Sequence, residues 1–81
     1  MKTFHLIAAK VGETLFDGEV VSVLLPGSEG LFQVLAGHEA FVSELVLGSM
    51  HIKTKDGSMH TIKIERKGIA EVSHNQVTVL L

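Results

Sequence analysis

An all-β fold around one core is what this sequence predicts, and three observations predict it. Apolar residues recur with period two through most of the chain. Phe4, Leu6 and Ala8 alternate with His5, Ile7 and Ala9; Val21, Val23 and Leu25 share one face of the run ending at Pro26; Val77, Val79 and Leu81 share one face of the last run. Eight glycines punctuate these runs at short intervals, the spacing of turns between the short strands of a sandwich or barrel. The length, 81 residues with 46% hydrophobic, suits a single small domain. With no cysteine and four phenylalanines as the only aromatic residues, its core must be aliphatic.

The first run, Phe4 to Ala9, reads as a strand. Asp17-Gly18 then predicts a hairpin turn between Thr14-Leu15-Phe16 and Glu19-Val20-Val21. Pro26-Gly27-Ser28-Glu29-Gly30 reads as a tight exposed loop. It is no phosphate loop: the Gly-Lys-Ser/Thr ending is missing, no helical pattern follows, and Glu29 would repel phosphate. From Glu39 to Leu47 two periods compete. Phe41/Leu45 and Val42/Val46 have helical spacing, whereas Phe41, Ser43, Leu45 and Leu47 alternate. The β-branched content and the closing Gly48 favour a strand after an irregular lead-in. Lys55-Asp56-Gly57 predicts a second hairpin. A two-residue turn would pair Thr54 with Met59 and split Ile62 and Ile64 from Ile52. A three-residue loop with Gly57 in the left-handed bulge position pairs Thr54 with Ser58. It gathers Met50, Ile52, Ile62 and Ile64 on one face, with His51, Lys53, Thr61, Lys63 and Glu65 on the other. Only this register buries the apolar residues together.

Several function classes fall away. A formal net charge of -2 argues against nucleic acid as a partner. The longest unbroken apolar stretch, Leu6 to Ala9, is far below the ~20 residues of a spanning helix, so no direct membrane insertion is expected. Without cysteine there is no disulfide, thiolate zinc site or cysteine nucleophile. No basic segment followed by an apolar one opens the sequence, so no export signal is expected. Five histidines (His5, His38, His51, His60, His74) include no HxxxH or HxH pair, so no metal site is expected. No serine sits in a nucleophile elbow, and nothing points to an enzyme or a cofactor.

The charge distribution is uneven. Between Val11 and Ile52 there is no Lys or Arg, and Glu13, Asp17, Glu19, Glu29, Glu39 and Glu44 give a net of -6. The flanks carry Lys2, Lys10, Lys53, Lys55, Lys63, Arg66 and Lys67 against Asp56, Glu65 and Glu71, a net of +4. The plain account is decoration of solvent-facing positions. The sharper one is a one-sided acidic surface for a basic partner.

The stretch Leu25-Pro26-Gly27-Ser28-Glu29-Gly30-Leu31-Phe32-Gln33-Val34-Leu35-Ala36-Gly37-His38 resembles the signature of the epsilon subunit of F-type ATP synthase. That signature is a Gly-Ser-Glu-Gly loop, a short strand, then Pro-Gly-His-Ala-Pro. Three further features agree in order: Leu15-Phe16-Asp17-Gly18-Glu19-Val20, Ile52-Lys53-Thr54-Lys55-Asp56-Gly57, and Glu71-Val72 with Val77-Thr78-Val79-Leu80. The departures are Ala36 and Glu39-Ala40 where the family has prolines, Leu31 where a polar or acidic residue is usual, and Glu65-Arg66-Lys67-Gly68-Ile69 in place of Ser-Gly-Gly-Phe. Loss of the prolines should loosen the His38 corner.

The resemblance implies a flattened sandwich of two five-stranded sheets, mostly antiparallel, with residues 1–81 as its single domain. It implies a non-catalytic central-stalk subunit that binds gamma, rests on the c-ring and joins ion flow to ATP synthesis at the cytoplasmic face of the membrane. Gly27, Ser28, Glu29, Gly30 and Leu31 are expected to face the c-ring, and the surface around Lys10, His38 and Ser43 to face gamma. The family usually adds a C-terminal helical hairpin that brakes the enzyme and in some members binds ATP. None is expected here, so neither self-inhibition nor nucleotide binding is. The isolated domain is expected to be a monomer. Two rival readings remain: a lipoyl or biotinyl carrier, whose swinging Lys in Asp-Lys-Ala or Met-Lys-Met is not matched by Lys55-Asp56-Gly57, and a small metal-binding or interaction module.

Overall fold

The computed structural model describes residues 2–81, none of them helical. Its strands are β1 (Phe4–Lys10), β2 (Glu13–Gly27), β3 (Gly30–Leu35), β4 (Phe41–Leu45), β5 (Gly48–Thr54), β6 (Met59–Ile64), β7 (Gly68–Ser73) and β8 (Gln76–Leu80). β1 and β8 pair in parallel; the other pairings are antiparallel.

The 15-residue β2 organises the molecule. Its first half pairs with β1, and its second half lies between β3 and β5. Hydrogen bonding therefore runs as one eight-stranded sheet, in order β1-β8-β7-β4-β2-β5-β6 with β3 on β2, rather than as two separate sheets. The β1–β2 pairing closes β1, β8, β7, β4 and β2 into a ring. β2 belongs to both layers of the sandwich because it carries a bulge. Val20 pairs with Thr54 and Ser22 with Lys53, which leaves Val21 as the extra residue. A bulge reverses side-chain parity and bends the strand. So Val20 points inward before it, Val23 and Leu25 after it, and all three are buried. Val21 is only half-buried and does not share the face of Val23 and Leu25, contrary to the uninterrupted alternation expected.

The turn expected at Asp17-Gly18 does not occur there. Asp17 lies opposite Ile7 and Gly18 opposite Leu6, in the middle of the ladder. The chain reverses at Val11-Gly12, with Lys10 opposite Glu13 and Gly12 at φ 77, where a β-carbon would be strained. Gly18 is inward-facing instead, with Phe16 beside the space a side chain would occupy. The second hairpin has the predicted bulged register. Met50 lies opposite Ile62 and Gly48 opposite Ile64, the Thr54 N–H donates to Ser58 O at 2.9 Å, and Gly57 takes φ 91. The Asp56 carboxylate completes the loop by accepting from Thr54 Oγ1 and from the Ser58 N–H. Those bonds hold its pKa down at about 2. The strand expected after an irregular lead-in is β4.

The core is aliphatic as predicted apart from Phe4 and Met50. Phe4, Leu6 and Ala8 from β1, Met50 and Ile52 from β5, Ile64 from β6, Ala70 and Val72 from β7, and Val77 and Val79 from β8 are all buried, with Leu45 and Val34 between them. No polar or charged residue is buried among the described ones. Unpaired polar groups therefore subtract nothing from the apolar burial that stabilises so small a domain.

Candidate interaction surface

The Gly27–Leu31 segment is a tight hairpin. Gly27 lies opposite Gly30, Ser28 and Glu29 form the turn, and Gly30 takes φ 122. Gly27 is buried, while Ser28, Glu29, Gly30 and Leu31 are exposed, Leu31 to 70%. Two main-chain bonds fasten the base of the turn to β4: the Ser28 N–H donates to Glu44 O at 3.0 Å, and the Val46 N–H donates to Pro26 O at 2.9 Å. Glu29 makes no ion pair among the described residues, so its charge is free for an incoming cation.

The His38 corner is a type II turn. Its Gly37 has φ 83, and the His38 N–H donates to Leu35 O at 3.2 Å. The corner thus forms a closed turn without proline. The His38 ring is exposed; its Nδ1–H donates to Glu39 O at 3.0 Å, and it leans on Phe41 with ring centroids 4.9 Å apart. Phe41 in turn packs edge-on against Phe32 at 5.4 Å. A β-carbon on Gly27 would sit 2.9 Å from the Phe32 ring. Gly27, Phe32, Phe41 and His38 thus form one packed row that links the hairpin to the corner. Nothing in the spacing of those residues announced this row; the only hint was that it uses two of the chain's four phenylalanines.

Lys10 and Ser43 are placed differently. Lys10 ends β1, is exposed, and lies 3.5 Å from Glu13 across the Val11-Gly12 turn. Ser43 is half-buried opposite Ala70, with its hydroxyl donating to Glu44 O at 3.0 Å. The registers align Leu6, Val77, Val72 and Phe41 in one row across the layer, and Ala9, Leu80, Ile69 and Glu44 in another. Lys10 lies beyond the second row and His38 beyond the first, so no single point of contact reaches both. What lies between them is the outer face of β1, β8, β7 and β4. Val42, Leu80 and Ile69 are exposed there to 60%, 53% and 40%, beside half-buried Ile7 and Ala9. Asp17, Glu19, Glu44 and Glu71 lie around them on the same face. Sequence reasoning missed this patch, because only the cross-strand register brings its members together.

The uneven charge also acquires a geometry. The β1-β8-β7-β4 face is acidic, while His51, Lys53 and Lys63 point outward from β5 and β6 on the opposite layer. No group of three or more His, Asp or Glu among the described residues is arranged to hold a metal ion. Of the clefts at Lys10/Arg66 and at Lys2/His74, about 380 and 370 Å³, the second is lined by Thr3, whose hydroxyl donates to Glu19 at 2.9 Å.

The family model described as ATP synthase, Delta/Epsilon chain, beta-sandwich domain matches residues 3–81. The chain is 37% identical over 81 residues to the ATP synthase epsilon chain of Campylobacter fetus, covering all of this chain and 62% of that one. It is 37% identical over 79 residues to the ATP synthase epsilon chain of Chlorobium limicola, covering 98% of this chain and 89% of that one. Among solved structures, a chain of the Euglena gracilis mitochondrial ATP synthase OSCP/F1/c-ring assembly superposes with a TM-score of 0.89 at 25% identity, over 96% of this chain and 49% of that one. A chain of the Tetrahymena thermophila mitochondrial ATP synthase central stalk and c-ring shares the fold at a TM-score of 0.69 and 14% identity, over 98% of this chain and 63% of that one. The chain thus spans just over three-fifths of the Campylobacter fetus relative and nearly nine-tenths of the Chlorobium limicola one.

Proposed function

Because the chain belongs to the delta/epsilon family of ATP synthase β-sandwich domains, we propose that it works as a non-catalytic part of the central stalk, joining gamma to the c-ring and so coupling ion flow to ATP synthesis. The observation that carries this reading is the packed row from Gly27 through Phe32 and Phe41 to His38. It makes an exposed hairpin and an exposed corner parts of one rigid body, as a component that transmits load between two partners requires. The hairpin, Gly27, Ser28, Glu29, Gly30 and Leu31, is the surface for the c-ring. Its tip offers one unpaired carboxylate and one exposed leucine, chemistry that suits a polar loop with a cation and an apolar neighbour. The gamma-facing surface takes in Lys10, His38 and the strand carrying Ser43, across the apolar face between them. In this role the chain sits peripherally on the cytoplasmic face of the membrane as part of the complex. It needs no cofactor, nucleotide or metal.

Co-purification with the gamma subunit from the same source tests the reading. A one-to-one complex is expected, lost on Val42→Glu/Leu80→Glu. A folded chain that never retains gamma overturns the proposal. For the hairpin, Glu29→Lys should weaken assembly on the c-ring and coupling at physiological salt. Unchanged coupling would refute charge pairing at that point.

A further inference from the structure

At the rim of the acidic face, His5 stands directly opposite Glu19 across the β1–β2 ladder, with Asp17 two pairs further along and so on the same face. Its Nε2 lies 2.6 Å from Asp17 Oδ1 and its Nδ1 2.9 Å from Glu19 Oε2. The other Glu19 oxygen accepts from Thr3 Oγ1 at 2.9 Å. Both ring nitrogens thus meet acceptors. A neutral imidazole has one N–H and would turn its remaining lone pair onto a carboxylate; only the imidazolium donates at both positions.

We propose that His5 is a pH-sensitive clasp: as an imidazolium it bridges Asp17 and Glu19 and fastens the start of β1 to β2, and on losing its proton it releases one of the two carboxylates. The surroundings favour this assignment. On the β2 side the facing charges are Asp17 and Glu19, and Lys55 from the β5–β6 loop adds a positive charge near Glu19. On the other side Gln76 of β8, uncharged, lies opposite His5. In the β7–β8 turn, Asn75 O accepts the His5 N–H at 2.9 Å, next to His74. The hydrogen bonds that His5 donates to Glu19 and then Asp17 raise its pKa above the ordinary 6.5, and accepting from His5 lowers that of Glu19. Both shifts agree with the geometry.

The consequence has a definite sign. A raised His5 pKa contributes stability that is fully present below about pH 6.5 and is lost as pH rises through the folded-state value. Over the same interval the outer face gains one unit of negative charge. The clasp does not depend on the partners proposed above, and the isolated chain suffices to test it. The ring signals of His5 are followed by NMR from pH 5 to 9 in the wild type, Asp17→Asn and Glu19→Gln, and urea unfolding is measured across the same range. The expected results are protons on both ring nitrogens at low pH, a midpoint above 6.5 that falls in each variant, and a pH-dependent loss of stability that His5→Gln abolishes. A wild-type midpoint at or below 6.5, or one that neither variant moves, overturns the proposal. All three side chains are solvent-exposed or nearly so, and the variants retain the buried core.

Discussion

Replacing Gly27 by alanine tests the packed row where it is tightest. The new β-carbon would lie 2.9 Å from Phe32 Cδ1, from Phe32 Cε1 and from Gly30 O. That is about 0.6 Å inside the ~3.5 Å at which carbon contacts become favourable. The carbonyl oxygen belongs to the closing pair of the hairpin and cannot swing aside, so the Phe32 ring must move. Overpacking of this kind costs about 1–3 kcal/mol. Displacing Phe32 also weakens its edge-on contact with Phe41, worth about 0.5–1.5 kcal/mol. The expected loss is about 2–4 kcal/mol, a large share of the ~5–15 kcal/mol that stabilises a domain. Urea unfolding followed by circular dichroism reads it directly. With a slope of about 1–2 kcal/mol per molar, the midpoint should fall by roughly 2 M. Phe32→Leu in the Gly27→Ala background should recover part of the loss, with a coupling above about 0.5 kcal/mol. A Gly27→Ala protein within about 0.5 kcal/mol of wild type, or a double variant that is merely additive, would refute the reasoning. Gly27 does not lie in the left-handed region, so the result isolates crowding from backbone strain.

Ala36 occupies the second position of the type II turn closed by His38, where proline's fixed φ fits and the preceding Leu35 is already extended. Ala36→Pro should therefore raise stability by about 0.4–1 kcal/mol in thermal unfolding; destabilisation would show that the turn is misassigned. Asp56, with its pKa depressed to about 2, contributes stability that is present above about pH 3.8 and is lost as pH falls toward 2. Acid titrations should accordingly show the wild type losing more stability over that interval than Asp56→Asn, and equal losses would contradict the loop geometry.

The two hairpins show how far the sequence can be read. Around Lys55-Asp56-Gly57 one register alone put Met50, Ile52, Ile62 and Ile64 together, so burial settled the pairing and the structure adopts it. At Asp17-Gly18 the local turn chemistry was just as good, yet the chain stays extended, because Gly18 fills an inward position beside Phe16 and the reversal comes at Gly12. A turn motif states what the backbone can do; which motif is used depends on partners many residues away. The Val21 bulge was hidden for the same reason, since an extra residue is defined only against β5. At the candidate site, the exposed hairpin and the His38 corner were legible from their glycines. The inward turn of Ser43, the apolar patch of Val42, Ile69 and Leu80, and the clasp at His5 were not, because each is a product of cross-strand register.

The last strand of the chain does not lie at an edge. β8 runs between β1 and β7, parallel to the first strand, so the ring of β1, β8, β7, β4 and β2 has a gap until Gln76–Leu80 is in place. On the ribosome, where residues are added at about 5–20 per second, β1 and β7 must both wait with open edges for a segment made after each of them. The ladder then closes over the longest sequence separation in the molecule, the kind of contact that slows folding. A nascent chain stalled before β8 would present two unpaired edges at once, and such edges invite pairing with other chains. Insertion of β8 between β1 and β7, rather than the formation of any early hairpin, is the step that closes the ring of strands.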